Sequence, residues 1–87
     1  MNNPISAAQI RAARALLNWS QGDLARAATL SRPTVDRAER TAVSGETLEA
    51  LVGALKAAGV IFVEENGDGP GVRLKKALPT APRSRKR

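Results

Sequence analysis

Four serines punctuate the first half of the chain, and their spacing limits what it can fold into. Ser6, Ser20, Ser31 and Ser44 each stand just ahead of a short stretch with helical character. A serine in that place offers its side-chain oxygen to the free N–H groups of a first helical turn. Ser6 has Gln9 three residues on, and Ser20 has Asp23, which is the spacing of a reciprocal capping box; Ile5 and Ile10 can clamp the first of these as a hydrophobic staple. Helices that restart this often are short. A short helix is marginal by itself in water, so each must pack against its neighbours, and the expected product is a small helical bundle.

The apolar positions agree with this. Ile10, Ala13, Leu16 and Leu17 recur at helical spacing, with Arg11 and Arg14 beside or opposite them, and Asn18 suits the left-handed residue that ends a helix. Leu24, Ala25 and Ala28 make a stripe through about two turns, followed by a break at Thr29 and Leu30. Ser31 then opens "RPTVDRAER", which turns Val35 and Ala38 inward and leaves Arg32, Thr34, Asp36, Arg37 and Arg40 on other faces. Pro33 lacks the N–H that a first helical turn does not use, and it disfavours helical geometry in the residue before it. The helix proper is therefore expected to begin at Pro33, with Arg32 at its lip. Residues 41–44 read as a loop. Ser44 or Gly45 opens the longest helix, with Leu48, Leu51, Val52 and Leu55 inward and Gly59 just past its end.

Beyond Gly59 the character changes. "VIFVEE" and "VRLKK" have strand composition and "NGDGPG" is turn chemistry, so a hairpin or at least one strand is expected. "LPTAPRSRKR" has two prolines, four basic residues and no apolar period, and is expected to be a disordered basic tail. The expected fold is mainly α: four or five helices, then a β-strand or β-hairpin and the tail. The corresponding division is a helical unit over 1–59, a strand or hairpin over 60–78, and the tail over 79–87.

Composition removes several functional classes. There is no cysteine or histidine, so disulfides, Cys/His zinc sites, a histidine base and a thiolate nucleophile are excluded. Glu64, Glu65 and Asp68 lack a supporting ligand set and read as a solvated edge; no metal, cofactor or catalytic residue is expected, and the chain is read as no enzyme. "NGDGPG" lacks the Lys-Ser/Thr of a P-loop and is taken as a turn. No apolar run is long enough for a membrane span, and "MNNPIS" is unlike a signal peptide, so a cytoplasmic, nucleoid-associated protein is expected. The net charge of +6 is concentrated in the C-terminal third: residues 60–87 carry seven basic against three acidic side chains, and residues 1–59 seven against five. That favours a polyanionic partner.

Two short capped helices separated by a turn of three or four residues cannot bury themselves and need the first and fourth helices as a platform. This is the helix-turn-helix arrangement, whose second helix is free to enter a major groove. Over residues 10–59, "ARALLNWSQGDLARAA", "LSRPTVDRAER" and "SGETLEALVGALKAAG" resemble the Cro and phage-repressor type of helix-turn-helix domain, the XRE family. The matching residues are Ser20-Gln21, Leu24-Ala25, Ser31, Val35 and Glu39, and "AGVIFVEENGDGPGVRLKK" resembles a segment of small stand-alone regulators of that family. The chain departs from the family where many members carry glycine and it has Thr29 and Thr41.

The resemblance implies a lambda-repressor-like fold and a set of roles. Arg32, Thr34 and Arg37 correspond to base-facing positions, and an arginine suits the paired acceptors of guanine. Gln21, Ser31, Arg40 and Thr41 correspond to contacts with backbone phosphates, and Arg14 with Glu39 to a salt bridge between the first and third helices. The competing account of the arginines is a solvated face held by Arg32–Asp36 and Asp36–Arg40 ion pairs, with Asp36 orienting an arginine rather than touching a base. Trp19 reads as core. One recognition helix covers too few base pairs to specify a site, so a homodimer on an inverted repeat of double-stranded DNA is expected. Val60, Ile61, Phe62 and Val63 are the candidate dimerisation strand, with the outer face of the fourth helix as the other surface. The function expected is a transcriptional repressor of bacterial or phage DNA. An antitoxin covering a toxin partner with its C-terminal segment, distinguishable by the neighbouring gene, and an activator that recruits RNA polymerase are the alternatives.

Overall fold

In the computed structural model of the protein, residues 5–64 and 67–75 are described. The serines begin the helices as their spacing predicts: α1 spans Ala7–Leu16, α2 Gln21–Ala28, α3 Arg32–Ala38 and α4 Gly45–Ala57, with Ser6, Ser20, Ser31 and Ser44 as their N-caps. Both capping boxes are closed, Ser6 with Gln9 and Ser20 with Asp23. Each serine cap stabilises its helix by about 1 kcal/mol. For α3, only seven residues long, that is a large part of what its own sequence contributes.

One boundary differs from the sequence expectation. Arg32, expected outside the helix, is its first residue, and Pro33 follows as the second. The Ser31 side chain accepts from the Thr34 N–H at 3.2 Å, and the Val35 N–H reaches the Ser31 carbonyl at 3.2 Å, so the cap is set one residue earlier than the proline requires. Pro33 still occupies the first turn, where a missing N–H costs nothing.

Helices α1 and α2 end in the same way. After α1, Trp19 N–H donates to Arg14 O at 3.2 Å and Asn18 N–H to Ala15 O at 3.0 Å; after α2, Leu30 N–H donates to Ala25 O at 2.8 Å and Thr29 N–H to Arg26 O at 3.2 Å. These are Schellman pairs, which require a left-handed residue. Asn18 and Thr29 supply it, both at φ 58°. Gly59, at φ 110°, does the same after α4.

Two short strands follow, β1 over Val60–Val63 and β2 over Gly71–Leu74, paired antiparallel with Val60 opposite Leu74 and Val63 opposite Gly71. Two strands alone would be marginal. Here β2 packs on α1 and β1 on α4. The core they complete consists of Ile10, Ala13, Leu24, Ala25, Val35, Ala38, Leu51, Leu55 and Val60, with Trp19, Leu48, Val52, Phe62 and Val72 packed around it. Gln9 fastens the hairpin: its Nε2 donates to Gly71 O at 3.1 Å and Val63 O at 3.5 Å, while its Oε1 completes the α1 cap. Leu16, expected on the apolar face of α1, is instead 42% exposed. The helix stops at that residue, and Leu17 turns in over the core in its place. The fold is thus mainly helical, four helices and a two-stranded sheet among the described residues. The tail expected over 79–87 lies outside them.

Candidate nucleic-acid interface

Helices α2 and α3 share the apolar core through Leu24, Ala25, Val35 and Ala38, and polar side chains join them at its outer edge. Val35, Ala38 and Glu39 form the buried side of α3 and its last turn; Arg32, Pro33, Arg37 and Arg40 are exposed, and Thr34 and Asp36 lie half-buried at the flanks. The deepest polar group is Glu39, 2% exposed. Arg14 reaches it from α1 with two parallel bonds, Nε to Oε2 at 2.6 Å and Nη2 to Oε1 at 3.0 Å, and its third nitrogen donates to Trp19 O at 2.9 Å. The hydrogen bond to Glu39 raises the Arg14 guanidinium above its ordinary value, its charge adding in the same direction against the opposing effect of burial. Losing one partner of a buried ion pair costs about 3–5 kcal/mol, because the other charge is left without compensation. The pair therefore fixes the end of α3 against α1.

Arg11 adds a contact that periodicity alone did not reveal. Its Nη1 donates to the Glu39 backbone carbonyl at 2.6 Å, where α3 ends and helical carbonyls have lost their intrahelical partners. A cation at a helix C-terminus is also favoured by the helix dipole. Its position on α1 could be read from the sequence, but the carbonyl it meets is 28 residues away.

Gln21 joins this buried pair to the exposed side. Its Nε2 donates to Glu39 Oε1 and to Asp36 Oδ1, each at 3.2 Å, and its Oε1 accepts from Arg32 Nη1 at 3.4 Å. Asp36 in turn takes Arg40 Nε at 3.1 Å and Nη2 at 2.9 Å. The bonds from Gln21 and then Arg40 hold the Asp36 carboxyl below the usual aspartate range. Of the two ion pairs considered from the sequence, Asp36–Arg40 is formed, whereas Arg32 turns to Gln21 instead. Ser31 and Thr34 share a hydroxyl contact of 2.8 Å at the start of α3. Thr41 is exposed, and its N–H donates to Arg37 O at 2.9 Å. The Arg37 side chain makes no hydrogen bond or ion pair among the described residues.

So Gln21, Ser31, Arg32, Thr34, Arg37, Arg40 and Thr41 all lie on or beside α3, with the start of α2 against it. The profile of the helix-turn-helix family matches residues 10–58, which span α2, α3, α4 and most of α1. The chain belongs to the helix-turn-helix family, XRE type. This helix-turn-helix protein is accordingly a DNA-binding regulator of transcription. No curated protein matches it. Among the described residues, no helix is long and apolar enough to cross a membrane. The strand residues proposed for dimerisation separate in the structure: Val60 belongs to the chain's own core, Phe62 and Val63 are half-buried, and Ile61 is exposed.

Proposed function

We propose that the protein is a homodimeric repressor that places α3 in the major groove of an inverted-repeat operator. One observation carries this: Arg37 stands exposed on the outward side of α3 with no side-chain partner among the described residues, while every other charged side chain of that helix is bonded. An exposed guanidinium fork on a helix capped at its start by Ser31 and tied at its end through Glu39 can meet guanine O6 and N7 with little further ordering of the helix. Arg32 and Thr34 are the accompanying base contacts. Ser31, Arg40, Thr41 and Gln21 meet the flanking phosphates, which set register without reading sequence. Repression follows from occupying the promoter.

The dimer is assigned to the hairpin, because β1 leaves Ile61 at 40% exposure on the face turned away from Val60 and the core, and among the described residues no further strand pairs with either edge of the two-stranded sheet. The deciding experiment starts from duplexes selected from a random library by the parent protein. Arg37→Ala should lose about 1–3 kcal/mol per half-site on the selected duplex. Its thermal unfolding and sedimentation should match the parent. Parent-like affinity of the variant would remove α3 from the role of reading helix.

A further inference from the structure

The surface assigned to DNA carries a carboxylate at its centre, which a phosphate-binding face would not be expected to keep. Residues 32, 36 and 40 follow one another at intervals of four and share one side of α3 and the turn that continues it. That row reads Arg, Asp, Arg. Both oxygens of Asp36 are occupied, Oδ1 by Gln21 at 3.2 Å and Oδ2 by Arg40 at 3.1 and 2.9 Å. It therefore holds two of the groups that phosphates would otherwise take.

Stability does not account for the arrangement. The Arg40–Asp36 pair is exposed, with side chains 67% and 43% accessible, and such a pair adds little to folding. Its effect on a duplex is larger. A fixed negative charge repels phosphates of any sequence, so Asp36 lowers general affinity. In return it fixes Arg40: with Nε and Nη2 both turned to Oδ2, the guanidinium plane is set, and Nη1 takes no part in the pairing.

We infer that Asp36 is a specificity-determining positioning residue, which competes with phosphate for Arg40 and presents the guanidinium only to a backbone lying in the register that the base contacts impose. On an unrelated sequence that register is not held, and Arg40 stays with Asp36. Discrimination thus comes from a built-in opposing charge as well as from attractive contacts. The inference rests on the DNA-binding function proposed above.

The test measures Asp36→Asn against the parent on two probes, the duplex selected by the parent and a shuffled duplex of equal composition, across a salt series. Asparagine keeps the shape and an acceptor for Gln21 while removing the charge. The variant should bind the shuffled duplex about fivefold more tightly, with a log–log salt slope steeper by about 0.9, because Arg40 then neutralises one more phosphate. The ratio of selected to shuffled affinity should fall by a similar factor. In an Arg40→Ala background the same change should move shuffled binding by clearly less than it does in the parent, since only the direct repulsion between Asp36 and phosphate is then removed. A parent-like ratio, or a gain undiminished without Arg40, overturns the inference, the latter reducing Asp36 to a general charge effect. A parent that discriminates between no duplexes would overturn the DNA-reading proposal itself, whereas a discriminating parent with a parent-like variant strikes Asp36 alone.

Discussion

Thr29 sits at φ 58° and ψ 47°, a left-handed conformation that brings its Cβ close to the following carbonyl. Two things hold it there. Its own N–H and that of Leu30 close the end of α2, and Leu30 is packed against the core. A β-branched residue in this region costs about 1–2 kcal/mol, against about 0.5–1 kcal/mol of chain entropy that glycine would lose there. Thr29→Gly should therefore raise stability by about 0.5–1 kcal/mol and the unfolding midpoint by a few degrees, measured by thermal denaturation. An unchanged or lowered midpoint would mean that Thr29 is not strained. Thr41, the other position where many relatives carry glycine, needs no such conformation: its φ is not positive, and its N–H closes onto Arg37. The sequence shows only that threonine stands where the family it resembles often has glycine. Which of two such threonines pays for it depends on the backbone of the turn.

At the scale of elements, capping was legible because it is local. A serine and its partner three residues on act within one turn, and each of the four helices begins where its serine says. Contacts between elements were legible only where the family pattern supplied them, as for Arg14 and Glu39. Gln9 was read as a capping residue and is also the fastener of the hairpin, because its partners lie 54 and 62 residues away. The cap of α2 also has a pH signature. Asp23 is held below the usual aspartate range by the Ser20 backbone N–H first and the Ser20 hydroxyl second, with Arg26 assisting. Because its value in the folded chain is depressed, its contribution to stability is complete above the ordinary aspartate range, which centres near pH 4, and is lost as pH falls through the lower folded value. Asp23→Asn should lower stability at neutral pH and weaken the acid dependence of the unfolding midpoint below about pH 4. Some dependence should persist, since Asp36 is depressed too. Identical acid limbs in variant and parent would show that the cap does not titrate as the hydrogen bonds require.

At the scale of the whole molecule, the hairpin serves two demands that the sequence presents as one apolar strand. Alternation along β1 separates them: Val60 is 3% exposed and completes the core beside Leu51 and Leu55, whereas Ile61 is 40% exposed and stands opposite Arg73 on β2. Truncating Val60 would therefore mix loss of fold with loss of assembly, and Ile61 is the position at which the two come apart. Ile61→Glu leaves the core untouched, sets an opposite charge across from Arg73 within the same hairpin, and puts on the exposed strand a charge that resists pairing with another chain. If two copies associate through this face, the variant should sediment as a folded monomer and its unfolding midpoint should lose any dependence on protein concentration. Its affinity for a two-half-site duplex should fall by about 100-fold or more, because the second α3 no longer binds as a linked partner. Affinity for a single half-site should stay at the parent's value, since Arg37 and its supports on α1 and α2 are distant in the chain and share no hydrogen bond with Ile61. A variant that sediments as the parent dimer would move the interface off the hairpin and leave the outer face of α4 as the surface to change next.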